Sequence, residues 1–246
     1  MRNAARASGT STHRHTDVDE PTGLLDLLDW KRRVFALYAD VRAAGGSADA
    51  WERWRAGRDE LFRSHPQSPL PPPERAGFPG LPYFAHDPGA RVVGRLEPAE
   101  PERYEIASSV EGAYEFTRFG TVRFALHGQD LALEAYWLAG YGGGLFLPFR
   151  DATAGTETYG AGRYLYDTVK GADLGTEAGG LVLDFNFAYN PSCSYDPAWD
   201  CPLAPAPNWL DVPVRAGERF ARPPDAPPPD TRGARPEGRA LADAPV

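Results

Sequence analysis

Apolar residues recur at intervals of three and four along residues 21–66, a pattern that predicts two amphipathic helices. The stripe of the first helix consists of Leu27, Trp30, Val34, Leu37, Tyr38 and Val41. Ser47 is a suitable N-cap for the second helix, which Pro66 ends. Trp51 and Trp54 lie on one face of that helix. Two tryptophans so placed favour a core anchor against a sheet, and the alternative is a groove for a partner.

The hydrophobic period changes to two after residue 82. Apolar positions alternate with polar ones over residues 121–126 and again over 131–137, and the turn sequence HGQD separates them, which predicts a hairpin. Similar runs occupy 91–97, 102–108, 113–119, 144–150, 163–168 and 180–187. No long helical pattern separates these runs. We therefore expect a mainly β fold, an antiparallel sandwich or partly closed barrel with the N-terminal pair of helices packed on it.

Composition shifts along the chain predict its domain organisation. Residues 1–20 and 221–246 are polar or rich in proline and lack apolar periodicity, so we expect two disordered tails. Residues 21–66 form the predicted helical pair, and residues 67–220 form the antiparallel β domain. The proline-rich stretch 66–82 is expected to run extended across a surface without regular structure.

Charge and cysteine content exclude several classes of function. A net charge of −8 argues against a protein that binds nucleic acid through its phosphates. No apolar run reaches membrane-spanning length and no secretion signal is visible, so we expect a cytoplasmic protein with no membrane partner. Cys193 and Cys201 are too few for a disulfide framework and too far apart for a usual zinc spacing. Packed thiols are favoured, and a disulfide or a nucleophilic cysteine are the alternatives. We expect no metal and no cofactor.

Polar residues that could form a site crowd between residues 149 and 203, among glycines and prolines that fix turns. The candidate ligand-binding residues are Arg150, Asp151, Glu157, Tyr159, Arg163, Asp184, Asn186, Tyr189 and Asn190. If the strand continues, Asp184 and Asn186 share one face about 7 Å apart. The same side chains could instead form a buried ionic cluster, in which Arg163 pairs with Asp184 or Glu157.

Several long motifs in this region resemble a known protein family. The segments FRDATAGTETYGAGRYLY, LDFNFAYNPSCSYDPAWDCPL and VRAGER, with SHPQSPL and FPGLPYF upstream, are similar to the domain of unknown function 1684 family and its shorter branch. The resemblance covers roughly residues 25–220. It implies a bacterial or archaeal protein without an assigned role, and it places the nine candidates and both cysteines at the family's motif positions. The chain departs from the family pattern at two positions, where Phe187 and Trp209 replace basic residues.

The residues favour a domain that binds a small polar or anionic molecule. Two arginines beside carboxylates suit a ligand with a carboxylate or phosphate group. One alternative is a hydrolase that uses Asp184 or Glu157 as general base, although the catalytic residues are unknown. Another is a non-catalytic interaction module that uses residues 66–82. A pocket above about 300 Å³ lined by the candidates would favour binding or catalysis.

Overall fold

A computed structural model describes residues 21–220 and 239–240 of the chain. The two predicted helices are present as α1 (Pro21–Ala43) and α2 (Ala48–Ser64). Ser47 caps α2 as expected, because its side chain accepts a hydrogen bond from the Ala50 amide. None of the described helices has the length and hydrophobicity that crossing a bilayer requires. The predicted tails lie outside the described residues, apart from the two residues at 239–240.

The strands form one antiparallel sheet. The strands are β1 (Arg91–Ala107), β2 (Ala113–Leu126), β3 (Gln129–Leu138), β4 (Gly144–Phe149), β5 (Arg163–Asp167), β6 (Thr176–Glu177), β7 (Gly180–Asp184) and β8 (Arg239–Ala240). Their order is β5-β4-β3-β2-β1-β7-β6, with β8 paired to the far end of β1. This arrangement confirms the mainly antiparallel β class with an N-terminal helical pair. Among the described strands the sheet does not close, since β5 and β6 are its edges.

The predicted hairpin joins β2 to β3. Its loop is His127-Gly128, and both residues have positive φ, as a type I′ turn requires. Four of the predicted strands form two longer strands in the structure. Strand β1 joins the predicted runs 91–97 and 102–108, and strand β2 joins the runs 113–119 and 121–126. The join in β1 is a register irregularity between Pro98 and Glu102, where proline cannot donate to the ladder.

Helices α1 and α2 pack on the sheet, and their buried side chains belong to the same hydrophobic core as those of the strands. Trp51 and Trp54 are buried in the same cluster as Val122, Leu133 and Leu183, which confirms that they anchor α2 to the sheet. Trp54 packs edge-on against Phe187, with ring centroids 5.1 Å apart. The helical pair therefore fixes the position of the chain that follows β7.

The proline-rich stretch differs from its prediction. A short helix, α3 (Pro72–Arg75), interrupts residues 66–82, and Leu70 and Leu81 are buried against Phe62 of α2. The Arg75 guanidinium donates to backbone carbonyls of residues 65–70, which satisfies groups that proline leaves without regular partners. The stretch is therefore packed into the fold at residues 67–70 and Leu81, contains one helical turn, and is exposed mainly between residues 72 and 79.

Candidate functional site

The nine candidate residues lie in several separate places. The largest group binds the segment Val214–Glu218, which we call the C-terminal strap. Arg163 is 1% exposed and donates to the carbonyls of Val214, Ala216 and Glu218. Its Nη2 also donates to Asp151 Oδ1 at 3.2 Å, and the other Asp151 oxygen accepts from the Val214 amide at 2.7 Å. The buried pair Arg163–Asp151 therefore fastens the strap to β5.

A second buried ion pair fastens the end of the strap to α2. Glu218 is fully buried, and Arg58 Nη2 lies 2.8 Å from its Oε2. The amide and side chain of Asn190 and the hydroxyl of Tyr195 also donate to Glu218. Burial raises the Glu218 pKa to about 7, and the Arg58 charge opposes that rise. The Arg58 guanidinium carbon lies 5.1 Å from the centre of the Tyr189 ring. Tyr189 and Asn190 therefore both contact the Arg58–Glu218 ion pair.

Three candidates lie on or near the surface. Arg150 stacks over the Trp209 ring at 4.2 Å, so the tryptophan found in place of a basic residue is a cation–π partner. Glu157 forms an ion pair with Arg215, whose hydrogen bonds hold the pKa of Glu157 below its ordinary value. The Tyr159 hydroxyl oxygen lies 3.8 Å from the Cys193 sulfur.

Asp184 and Asn186 are together at the end of β7, in a geometry that differs from the predicted strand. The strand stops at Asp184, and Phe185–Phe187 form one turn of 3-10 helix. Asp184 Oδ1 accepts from both the amide and the side chain of Asn186, at 3.1 and 2.9 Å. Aspartate is well suited to this local turn, which competes with continuation of the strand.

Asp184 lines a cavity of about 180 Å³. This cavity, which we call the Asp184 cavity, lies between the end of α1, the start of β1 and the β6–β7 hairpin. Its lining residues are Val41, Arg42, Gly45, Gly46, Arg91, Leu174, Gly175, Thr176, Glu177, Val182 and Asp184. Of the nine candidates, Asp184 alone lines it. Its volume is below the value that the sequence argument set for a pocket.

Two buried polar atoms in the Asp184 cavity have no hydrogen-bond partner: Asp184 Oδ2 and Arg91 Nε. Asp184 is 1% exposed, and burial raises its pKa to about 6 against the hydrogen bonds from Asn186. Gly46 lies over both atoms, because a Cβ at that position would be 2.7 Å from the oxygen and 3.2 Å from the nitrogen. An acceptor and a donor thus face the same small space.

The remaining bonds of the two cavity arginines hold them in place. Arg91 Nη2 donates to Glu177 at 2.6 Å, and Arg42 Nη1 donates to the Asp173 carbonyl at 2.6 Å. Arg42, Arg91, Glu177 and Asp184 together give the cavity wall two positive and two negative groups. Arg42 is paired with Asp173 and Arg91 with Glu177, so of the four charged lining residues only Asp184 makes no ion pair with another described residue.

Asp184→Asn is expected to keep the free energy of unfolding at pH 7 within about 0.5 kcal/mol of wild type, or to raise it. Asparagine can still accept from Asn186, and it removes a buried charge that lacks a partner. Because the folded pKa is about 6 and the ordinary value is 3.8, wild-type stability falls as pH rises between these values. The free energy of unfolding of Asp184→Asn should exceed that of wild type most above pH 6, and the difference should vanish toward pH 3.8.

Urea denaturation of both proteins across this pH range tests the expectation. A loss of about 3–5 kcal/mol at pH 7 would mean that Asp184 balances a buried positive charge.

Cys193 and Cys201 are both free and buried. The Cys193 thiol, which lies beside Cys201, and the Lys170 charge lower the pKa of Cys201 below its ordinary value. Within the described ranges, no three histidine, cysteine, aspartate or glutamate side chains come together as a metal site.

Sequence reasoning missed Arg42, Gly46 and Arg91 in the cavity and Arg58 and Glu218 at the strap. Gly46 had a signal, since a glycine pair after a helix indicates positive φ, which both glycines adopt. Glu218 lies in the VRAGER motif and was not weighed as a site residue. The arginines have no local signal, because sheet pairing and helix packing bring them to Asp184 and Glu218.

Comparison with known proteins gives a family but no activity. A family model described as a protein of unknown function, DUF1684, matches residues 76–219. The solution NMR structure of an uncharacterized protein of Haloarcula marismortui is 39% identical to this chain, with a TM-score of 0.50. The match covers 68% of this chain and 91% of that protein. No curated protein matches.

Proposed function

The chain belongs to the DUF1684 family, whose description assigns no activity, and from its side chains we propose that it binds a small molecule in the Asp184 cavity. The ligand carries a carboxylate or phosphate group that accepts from Arg91. The observation that carries this proposal is the pair of buried, unpartnered atoms Asp184 Oδ2 and Arg91 Nε in one cavity. Buried polar groups are nearly always paired in native proteins, so atoms left unpaired in a cavity favour a missing partner.

The cavity volume limits the size of the ligand. A cavity of about 150 Å³ accommodates benzene, and this one measures about 180 Å³. The ligand is therefore a molecule of at most about seven non-hydrogen atoms. Nucleotides and other large cofactors exceed this size.

Small carboxylates and inorganic phosphate are expected to raise the Tm of the wild-type protein. A ligand at about a hundred times its Kd should raise Tm by about 5 °C. Arg91→Met should abolish the rise because it removes the free Nε donor while keeping most of the side-chain volume. A thermal-shift series with acetate, propionate, lactate and phosphate measures this.

Arg95→Met is the matched control. Arg95 lies four residues along the same strand, is exposed and does not line the cavity. The Tm rise should persist in this variant. Equal rises in Arg91→Met and wild type, or no rise with any of these probes, would contradict the proposed site.

A second candidate function is hydrolysis with Asp184 as general base. The observation that favours it is a carboxylate with a free oxygen in a cavity and a pKa raised to about 6 by burial. The described side chains around Asp184 include no nucleophile hydrogen-bonded to it, so an attacking water would be required. Turnover of small esters or amides that Asp184→Asn abolishes would favour this function over binding alone.

Two expectations from the sequence lie outside the Asp184 cavity: ligand contact by Arg150 and Glu157, and a role for residues 66–82 in binding a partner. Ligand contact by Arg150 and Glu157 is tested by the same thermal-shift series with Arg150→Ala, which should lose the rise in Tm only if Arg150 belongs to the site.

The interaction-module alternative is less favoured, because residues 67–70 of its proline-rich segment are buried.

We also propose that the protein works in the cytoplasm, where thiols stay reduced. The two free, buried thiols support this location. Cys193 and Cys201 should both be alkylated when cells are lysed directly into denaturant with iodoacetamide. Mass spectrometry should find two added groups, and a sample reduced before alkylation is the control. A protein that gains none without prior reduction would carry a disulfide and would contradict the cytoplasmic proposal.

A further inference from the structure

The free atoms in the Asp184 cavity are of opposite kinds. Asp184 Oδ2 accepts a hydrogen bond and carries negative charge, whereas Arg91 Nε donates and belongs to a cation. A ligand that satisfies only the arginine leaves a buried carboxylate unpaired and brings a second negative group beside it. A ligand that satisfies only the carboxylate leaves the arginine donor unpaired. Both atoms are satisfied by a ligand with an anionic and a cationic group.

The spacing of the two atoms limits how far apart these groups can be. Because a Gly46 Cβ would lie 2.7 Å from the oxygen and 3.2 Å from the nitrogen, the two atoms are at most about 6 Å apart. A ligand that binds both atoms therefore carries its two groups close together. An ammonium and a carboxylate on one carbon atom have this arrangement.

Resting on the proposed function, we propose that the ligand is a small zwitterion of the α-amino acid class, with its ammonium on Asp184 and its carboxylate on Arg91. The small volume restricts the side chain to a few carbon atoms.

The proposal predicts how affinity depends on pH. The charged and titratable groups around Asp184 are Arg42 on α1, Arg91 on β1, Glu177 on β6 and His86 before β1. Burial places the Asp184 pKa at about 6, so the carboxylate is charged at pH 7.5 and mostly neutral at pH 5. Alanine should lose about tenfold in affinity between these pH values. L-Lactate, which stays ionised at pH 5, should bind no more weakly at that pH, because the repulsion from Asp184 disappears.

Titration calorimetry with three ligands of nearly equal size tests the proposal. L-Alanine, L-lactate and propionate differ only in the group on the α-carbon: ammonium, hydroxyl or hydrogen. Alanine should bind wild type at least about tenfold more tightly than propionate at pH 7.5, as expected for one charge-assisted hydrogen bond. In Asp184→Asn that advantage, together with its pH dependence, should disappear. The folding of this variant is checked by circular dichroism.

Each outcome decides a different point. Propionate or lactate binding as tightly as alanine, with loss of binding in Arg91→Met, would overturn the zwitterion and leave the proposed function standing. An alanine advantage that survives in Asp184→Asn would also overturn it. Failure of all three ligands to bind would overturn the zwitterion, and failure of phosphate and acetate as well would overturn the proposed function. 6-Aminohexanoate, whose charges are far apart, should bind more weakly than alanine, and equal binding would contradict the close spacing.

Discussion

Asp151→Asn is expected to lower the free energy of unfolding by about 3–5 kcal/mol. The substitution keeps the shape of the side chain but leaves the buried Arg163 guanidinium without its negative partner. It also replaces one acceptor oxygen by a donor, so either the Arg163 contact or the Val214 contact is lost. Burial already lowers the Arg163 pKa, while the Asp151 charge opposes this effect. Guanidinium denaturation at pH 7 measures the loss.

Glu157→Gln is the matched control for Asp151→Asn. It removes the charge from another carboxylate–arginine pair, Glu157–Arg215, whose arginine side chain is 61% exposed. Solvent screens this pair, so little change in stability is expected. If the two variants lost the same stability, burial would not be what makes the Arg163–Asp151 pair important. An unchanged Asp151→Asn would show that the carbonyls of the strap are sufficient for Arg163.

Trp54→Ala is expected to lower the free energy of unfolding by about 3–5 kcal/mol, as for other large core truncations. Trp54 is 1% exposed and fills the space between Tyr38, Tyr83 and Phe187. Its loss leaves a cavity between α2 and the turn that follows β7. Urea denaturation followed by circular dichroism measures the change.

Trp137→Ala makes the same truncation on β3, where the side chain is 48% exposed. A much smaller loss is expected there because less apolar surface is buried. A Trp54→Ala protein as stable as wild type would place this face of α2 at a partner surface and remove it from the core.

The fold was largely predictable because its signals are local. Periods of 3.6 and two mark helices and strands directly, and the positive φ of Gly128 agrees with the predicted turn. The errors occurred where side-chain contacts that hydrophobic periodicity does not report decide the structure. In the proline-rich stretch 66–82, Leu70 and Leu81 are buried against Phe62, and the Arg75 side chain satisfies nearby carbonyls.

For the site, the sequence indicated which residues to consider but not how they pair. Asp184 and Asn186 were identified and do lie together. The predicted pairing of Arg163 with Asp184 or Glu157 is wrong, because Arg163 pairs with Asp151. Twelve residues separate Arg163 from Asp151, and β4 and β5 bring them together through strand pairing. Arg91 reaches Asp184 because the first residue of β1 pairs with the last residue of β7. Register of this kind depends on the whole sheet and has no signature in single residues.

The C-terminal strap also affects when the domain can fold during synthesis. Arg58 and Arg163 are translated well before Glu218, and the groups that satisfy them lie mainly in residues 214–218. While these residues are still inside the ribosome, the nascent chain cannot bury either guanidinium without a large desolvation penalty. Helix and hairpin formation can proceed early, but closure of the core waits for the last residues of the domain to emerge. The family motif VRAGER thus marks the point on the nascent chain at which folding can be completed.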